Sequence, residues 1–116
     1  MYTFLNSLSY FLYLLSLTSS KVYSPTGQLI RNSWESMFDG SGTLDKSLNE
    51  YGLGSGSFWT GVDDFYGNSS SNNCTNWYYD DGGRYANIGT LDSKNEWLKF
   101  SSGQCPSRYK LLCACY

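Results

Sequence analysis

Phe58-Trp59-Thr60-Gly61, then Asn73-Cys74-Thr75-Asn76-Trp77, then Trp97, Cys105 and Leu112-Cys113 form the part of the chain that decides its reading. Tryptophans stand singly and cysteines recur against a background of glycine, serine and asparagine. Large rings need surface to pack on, whereas glycine and asparagine favour turns. The pattern describes a small, loop-heavy domain pinned by sulfur and anchored by rings. It suits a binding module better than a catalyst.

Composition narrows the field further. A chain of 116 residues makes one domain. Only 16% of residues are charged and the net charge is −2, which excludes the basic stripe that nucleic acid requires. There is no histidine, so Ser-His-Asp chemistry, Cys-His chemistry and a His-ligated metal are all excluded within this chain. Tyrosine, serine, glycine and asparagine dominate, as they do on adaptable recognition surfaces. The four cysteines, Cys74, Cys105, Cys113 and Cys115, lack the C-x-x-C knuckles of a zinc site. A disulfide framework in an oxidising compartment fits them better.

Residues 1–20 stand apart from residues 21–116. The apolar run at 4–17 has the composition of a signal-peptide centre, and Thr18 and Ser20 are small enough to precede a cleavage site. No Lys or Arg precedes it, so a buried helix or strand is the competing reading. The run is too short and too serine-dotted to span a membrane. Beyond Lys21, Ser24-Pro25-Thr26-Gly27 makes a turn. Ile30, Trp34, Met37 and Phe38 recur at helical spacing, with Asn32 or Ser33 to cap and Gly40 to stop. Residues 41–57 are glycine-rich and read as a connector. Phe58–Val62 reads as a buried strand. Residues 63–92 show almost no periodicity, which marks either a functional loop or disorder. Glu96–Phe100 is a second expected strand. Arg108–Tyr116 is a third, with Tyr109, Leu111, Cys113 and Cys115 on one face.

In this order, Trp34 with Phe38-Asp39-Gly40, Gly52, Phe58-Trp59-Thr60-Gly61, Asn73-Cys74 with Trp77, Gly89, Trp97, Cys105 and Leu112-Cys113 resemble the bacterial endostatin-like surface domains of the C-type-lectin-like fold, known best from spirochaete outer-surface lipoproteins. The likeness covers roughly residues 22–114. It implies an α+β domain with a small antiparallel sheet, short helices and a long loop region, lacking the family's first strand and first helix. It assigns Cys74 to Cys105. Cys113 then matches the family's final cysteine without its partner, and Cys115 is extra. These two stay free or bridge to another chain, because a bond between residues i and i+2 of a strand would be strained. The likeness also implies a secreted or cell-surface location and contact with host matrix or plasma proteins.

For the lectins of this fold, calcium-dependent sugar binding uses Glu-Pro-Asn or Gln-Pro-Asp with Trp-Asn-Asp, and none of these occurs here. Asp63, Asp64, Asn68, Asn72, Asn73, Asp80 and Asp81 offer oxygens without a recognised calcium spacing, so no metal and no cofactor is expected. The paired Asp63 and Asp64 are not placed for a glycosidase, whose carboxylates stand across a cleft. The expectation is therefore a non-catalytic extracellular module that binds protein through the long loop, with Tyr66, Tyr78, Tyr79, Arg84 and Tyr85 as anchors. Each tryptophan is read as structural, with Trp77 packed on the disulfide. Calcium-independent carbohydrate binding is the alternative. The expected covalent state is one intramolecular bond, from Cys74 to Cys105. Intact mass before and after reduction, with thiol labelling, reads it directly.

Overall fold

The computed structural model describes residues 2–4, 19–78 and 81–115. Residues 5–17 of the apolar run lie outside them, and with them the choice between a leader and a buried segment. The described part is a small α+β domain, mostly sheet with little helix. Its strands are β1 (Tyr2–Phe4), β2 (Val22–Tyr23), β3 (Leu29–Arg31), β4 (Ser57–Trp59), β5 (Tyr85–Thr90), β6 (Ser101–Gln104), β7 (Lys110–Leu111) and β8 (Cys113–Cys115). A short 3-10 helix, Glu35–Phe38, and one helical turn, Cys74–Trp77, complete the regular structure.

The central sheet runs β6-β5-β4-β7. β5 is antiparallel to both β4 and β6, but β7 lies parallel to β4, so this sheet is mixed rather than wholly antiparallel. Two antiparallel pairs, β1–β8 and β2–β3, flank it. In the sheet Phe58 stands opposite Gly89 and Lys110, and Trp59 stands opposite Ile88 and Leu111. Successive side chains take opposite faces. Phe58 therefore enters the main core, while Trp59 faces the other side with Ile88.

The core gathers Phe58, Val62, Leu91, Trp97 and Leu98 around the sheet. Ile30, Met37 and Phe38 close one side. The glycine-rich connector supplies Leu44, Leu48 and Tyr51, so it is core material as well as a link. Phe38 meets Trp34 edge-on at 5.3 Å and Trp97 at 5.7 Å. Such ring pairs add to the gain from simple area burial.

Several local expectations change. Ile30 lies on β3, and only Glu35–Phe38 is helical. The N-cap is Trp34, without a side-chain cap, in place of Asn32 or Ser33; Ser33, one residue earlier, accepts at its hydroxyl from the Ser36 amide at 3.1 Å. Glu96–Phe100 is a run of bends, and the strand falls just beyond it at Ser101–Gln104. The C-terminal stretch does not continue as one strand. It breaks at Leu112, which packs partly buried against the core, and so divides between two sheets. The largest change is β5, inside the stretch that lacks periodicity.

β5 forms because tertiary partners override weak local preference. Its Asn87 is buried, and every polar group has a partner. The side chain donates to the Val62 carbonyl at 2.8 Å and accepts from Asn72 Nδ2 at 3.2 Å. The Asn87 carbonyl accepts from the amides of Thr60 and Gly61, and its amide donates to the Asn72 carbonyl. One side chain thus ties the end of β4 and the segment before Cys74 to the centre of the sheet. Thr90 continues the pattern, donating its amide to the Glu96 carbonyl at 3.0 Å.

Gly89 is required for a different reason. A Cβ built there would lie 1.8 Å from the Trp97 carbonyl oxygen, a backbone atom that cannot swing aside. At Gly82 a Cβ meets nothing within 4 Å and φ is not positive. Gly89→Ala is expected to cost about 3 kcal/mol or more in urea denaturation, by overpacking. Gly82→Ala is expected to stay within roughly 0.5 kcal/mol of the parent.

Candidate functional site

The clearest constellation surrounds the disulfide. Cys74 and Cys105 are bonded, with Cα atoms 5.8 Å apart and a sequence separation of 31. Closing a loop of that size stabilises by about 3–4 kcal/mol in the chain-entropy description. The pairing is the one that the family resemblance implied. Cys113 is free and exposed.

The turn that begins at Cys74 is unusual. Cys74, Thr75, Asn76 and Trp77 have φ of 54°, 54°, 57° and 65°, so the turn coils left-handed. That conformation costs roughly 1–2 kcal/mol per residue for L-amino acids, although asparagine tolerates it better. Thr75 is β-branched and tolerates it poorly. Three kinds of tie hold the turn. Backbone bonds run from the amides of Trp77 and Tyr78 to the carbonyls of Asn73 and Cys74. The Asn73 side chain accepts from the Asn76 amide at 2.8 Å. Arg84 Nη1 donates to Thr75 Oγ1 at 2.6 Å.

Arg84 stands between the turn and β5. Its Nε lies 3.2 Å from Asp81 Oδ2, and Asp81 Oδ1 accepts from the Gly83 amide. Its carbonyl accepts from the Cys105 amide at 2.9 Å. The next residue, Tyr85, accepts at its hydroxyl from Gln104 Nε2 at 3.4 Å across the β5–β6 pair. Tyr78, directly after the turn, is 82% exposed, and Tyr85 is 43% exposed. Tyr78, Arg84 and Tyr85 therefore lie on segments joined through Thr75, Arg84 and the disulfide. Tyr79 and Asp80 lie outside the described residues.

Tyr66 is placed elsewhere. It is 63% exposed and belongs to the loop closed by the Val62–Ser69 bridge. Its ring lies so close to Gly40 that a Cβ there would meet Tyr66 Cζ at 2.5 Å. The same loop carries Asp63 and Asp64, and both carboxylates are engaged. Lys99 Nζ donates to the Asp63 carbonyl at 2.8 Å and lies 3.7 Å from Asp63 Oδ1. Asp64 accepts from the amides of Tyr66 and Asn68 and from Asn68 Nδ2. Among the described residues no group of three or more His, Cys, Asp or Glu could hold a metal ion.

Behind the disulfide, Trp59 is sandwiched edge-on between Trp77 at 5.6 Å and Tyr109 at 4.8 Å. The aromatic partner of Trp77 is therefore Trp59. Tyr109 in turn lies against Gly103, where a Cβ would come within 2.3 Å of its ring. This second aromatic layer covers the sheet face opposite the main core and supports the turn from beneath. Thr75, Asp81 and Gln104 complete the site without having been singled out as anchors. Thr75 stood inside the Asn-Cys-x-x-Trp motif, but its role depends on Arg84, nine residues away. Among the described residues no helix is long and apolar enough to cross a membrane. No protein-family model matches this chain, and no curated protein matches it.

Among the described residues, two carboxylates have pKa values held below the ordinary value. For Asp39 the cause is the Ser41 hydroxyl, then the Ser41 amide. For Asp64 burial pushes upward, but hydrogen bonds from the Asn68 side chain and from the amides of Asn68, Tyr66 and Gly67 outweigh it. A lowered folded value means stability that is fully present above the unfolded value, roughly pH 4, and lost as pH falls through the folded value. Urea midpoints are expected to be flat from neutrality to about pH 5 and to fall below pH 4. Asp64→Asn is expected to make that fall shallower.

Proposed function

We propose that this chain is a non-catalytic extracellular binding module of the C-type-lectin-like, endostatin-like class, and that it recognises protein through the face beside its disulfide. The observation that carries the reading is Tyr78, 82% exposed at the end of a covalently pinned turn, with Tyr85 and Arg84 on the adjoining segment. A large ring held on a rigid base loses little conformational entropy on contact, so more of its burial appears as affinity. Tyrosine and arginine are the residue types that concentrate binding energy. Arg84 is already oriented by Asp81 and Thr75, which reduces the cost of fixing it in an interface.

A disulfide persists in oxidising surroundings, which supports a secreted or cell-surface location. The absence of histidine and the engagement of Asp63 by Lys99 and Asp64 by Asn68 support a role without catalysis. Matrix or plasma proteins are the partner class that the family resemblance implies.

The test uses immobilised extracellular-matrix and plasma proteins as probes, read by surface plasmon resonance. The parent chain is expected to bind at least one of them. Tyr78→Ala combined with Tyr85→Ala is expected to weaken that binding at least about tenfold, with an unchanged melting temperature. Equal binding by parent and variant sinks the assignment of this face. No binding to the probes, with binding to a glycan array instead, replaces protein by carbohydrate as the ligand.

A further inference from the structure

We propose that the Cys74–Cys105 bond is the latch of a redox-sensitive turn: reduction lets residues 74–77 leave the left-handed conformation and draws Trp77 off Trp59, while the main core stays folded. The disulfide fixes the first of four consecutive left-handed residues, none of them glycine. Such a run persists only where its surroundings over-determine it. Trp77 adds to the tension, because its Nε1 is buried without a hydrogen-bond partner among the described residues. Without the sulfur bond, the turn still has the Asn73 bonds to Asn76 and the Arg84 bond to Thr75. Both groups are partly or wholly solvent-exposed, so water can replace these bonds.

The remainder of the domain is tied independently. The main core cluster contains none of residues 74–77 and occupies the other face of the sheet. β5 and β6 stay paired from Tyr85 with Gln104 to Ile88 with Ser101. Asn87 keeps its bonds to Val62 and Asn72. The relaxation therefore begins after Asn73 and takes in residues 74–77, the turn that leads to Tyr78. It is a property of the turn itself and does not depend on what, if anything, binds there.

Access determines the chemistry. Cys105 is half-buried, whereas Cys74 is 4% exposed. A thiolate of a dithiol reductant attacks Cys105 Sγ, the sulfur–sulfur bond breaks, and Cys74 leaves as a thiolate that takes up a proton. The reductant's second thiol, losing its proton, attacks its own sulfur in the mixed disulfide and releases Cys105, which is protonated in turn. The protein gains two electrons and two protons, and the dithiol becomes a disulfide.

Near-ultraviolet circular dichroism of the full chain, with and without dithiothreitol, tests this. The signal of the Trp59–Trp77 pair is the difference between the parent and Trp77→Phe in the oxidised state. Reduction is expected to abolish most of that difference while the far-ultraviolet spectrum and a cooperative melt persist. Cys74→Ser with Cys105→Ser is expected to resemble the reduced parent without any reductant. Thr75→Asn, which suits the left-handed region better, is expected to retain more of the signal after reduction. A tryptophan difference that survives reduction overturns the proposal. So does loss of the far-ultraviolet signal and the cooperative melt on reduction, since the bond would then hold the whole domain rather than the turn.

Discussion

The buried amide of Asn87 is the contact on which the central sheet depends. A polar side chain inside a protein is costly unless its hydrogen bonds are made. Here they are made to Val62 and Asn72, while the Asn87 backbone holds Thr60, Gly61 and Asn72. These bonds bring the stretch after β4 and the stretch before the disulfide against one strand. The main core then fills from one face of the sheet and the Trp59 layer from the other. Partial satisfaction of such a network is worse than none, which makes it a source of specificity as well as stability.

The sulfur bridge acts at a different level. It joins the end of strand β6 to a turn inside the 63–92 stretch, a turn that local preference opposes. The sheet gives that turn a floor of rings, and Arg84 gives it a lateral brace. The result is a division of labour between the two faces. One face is aliphatic and aromatic core. The other carries the small aromatic layer of Trp59, Trp77 and Tyr109.

Strong signals in the sequence were legible where they rest on side-chain size or covalent chemistry. Phe58 in a buried strand and tryptophans as packing anchors follow that rule, as does a disulfide as such; its Cys74–Cys105 pairing came from the family resemblance. What escaped is whatever depends on partners distant in the chain. Asn87 and Gly89 look like turn residues, and only Val62, Asn72 and Trp97 make them strand residues. Ile30 matched a helical period by coincidence with Trp34 and Met37, but it lies on β3, which pairs with β2 through Leu29 and Arg31. At the site, Tyr78, Arg84 and Tyr85 lie on joined segments, whereas Tyr66 is carried by another loop. Spacing alone cannot separate them, because left-handed backbone at residues 74–77 sets the direction in which the chain leaves the disulfide.

The close approach of the Trp97 carbonyl to Gly89 bears on how such a domain diversifies. A position that admits no side chain is frozen, and so is the separation between β5 and the bends that follow it. The exposed turn at residues 81–83 has no comparable restriction, since a Cβ at Gly82 meets nothing within 4 Å. Substitution there leaves the scaffold intact, so sequence change is expected to gather in that turn while β5 and its frame stay constant.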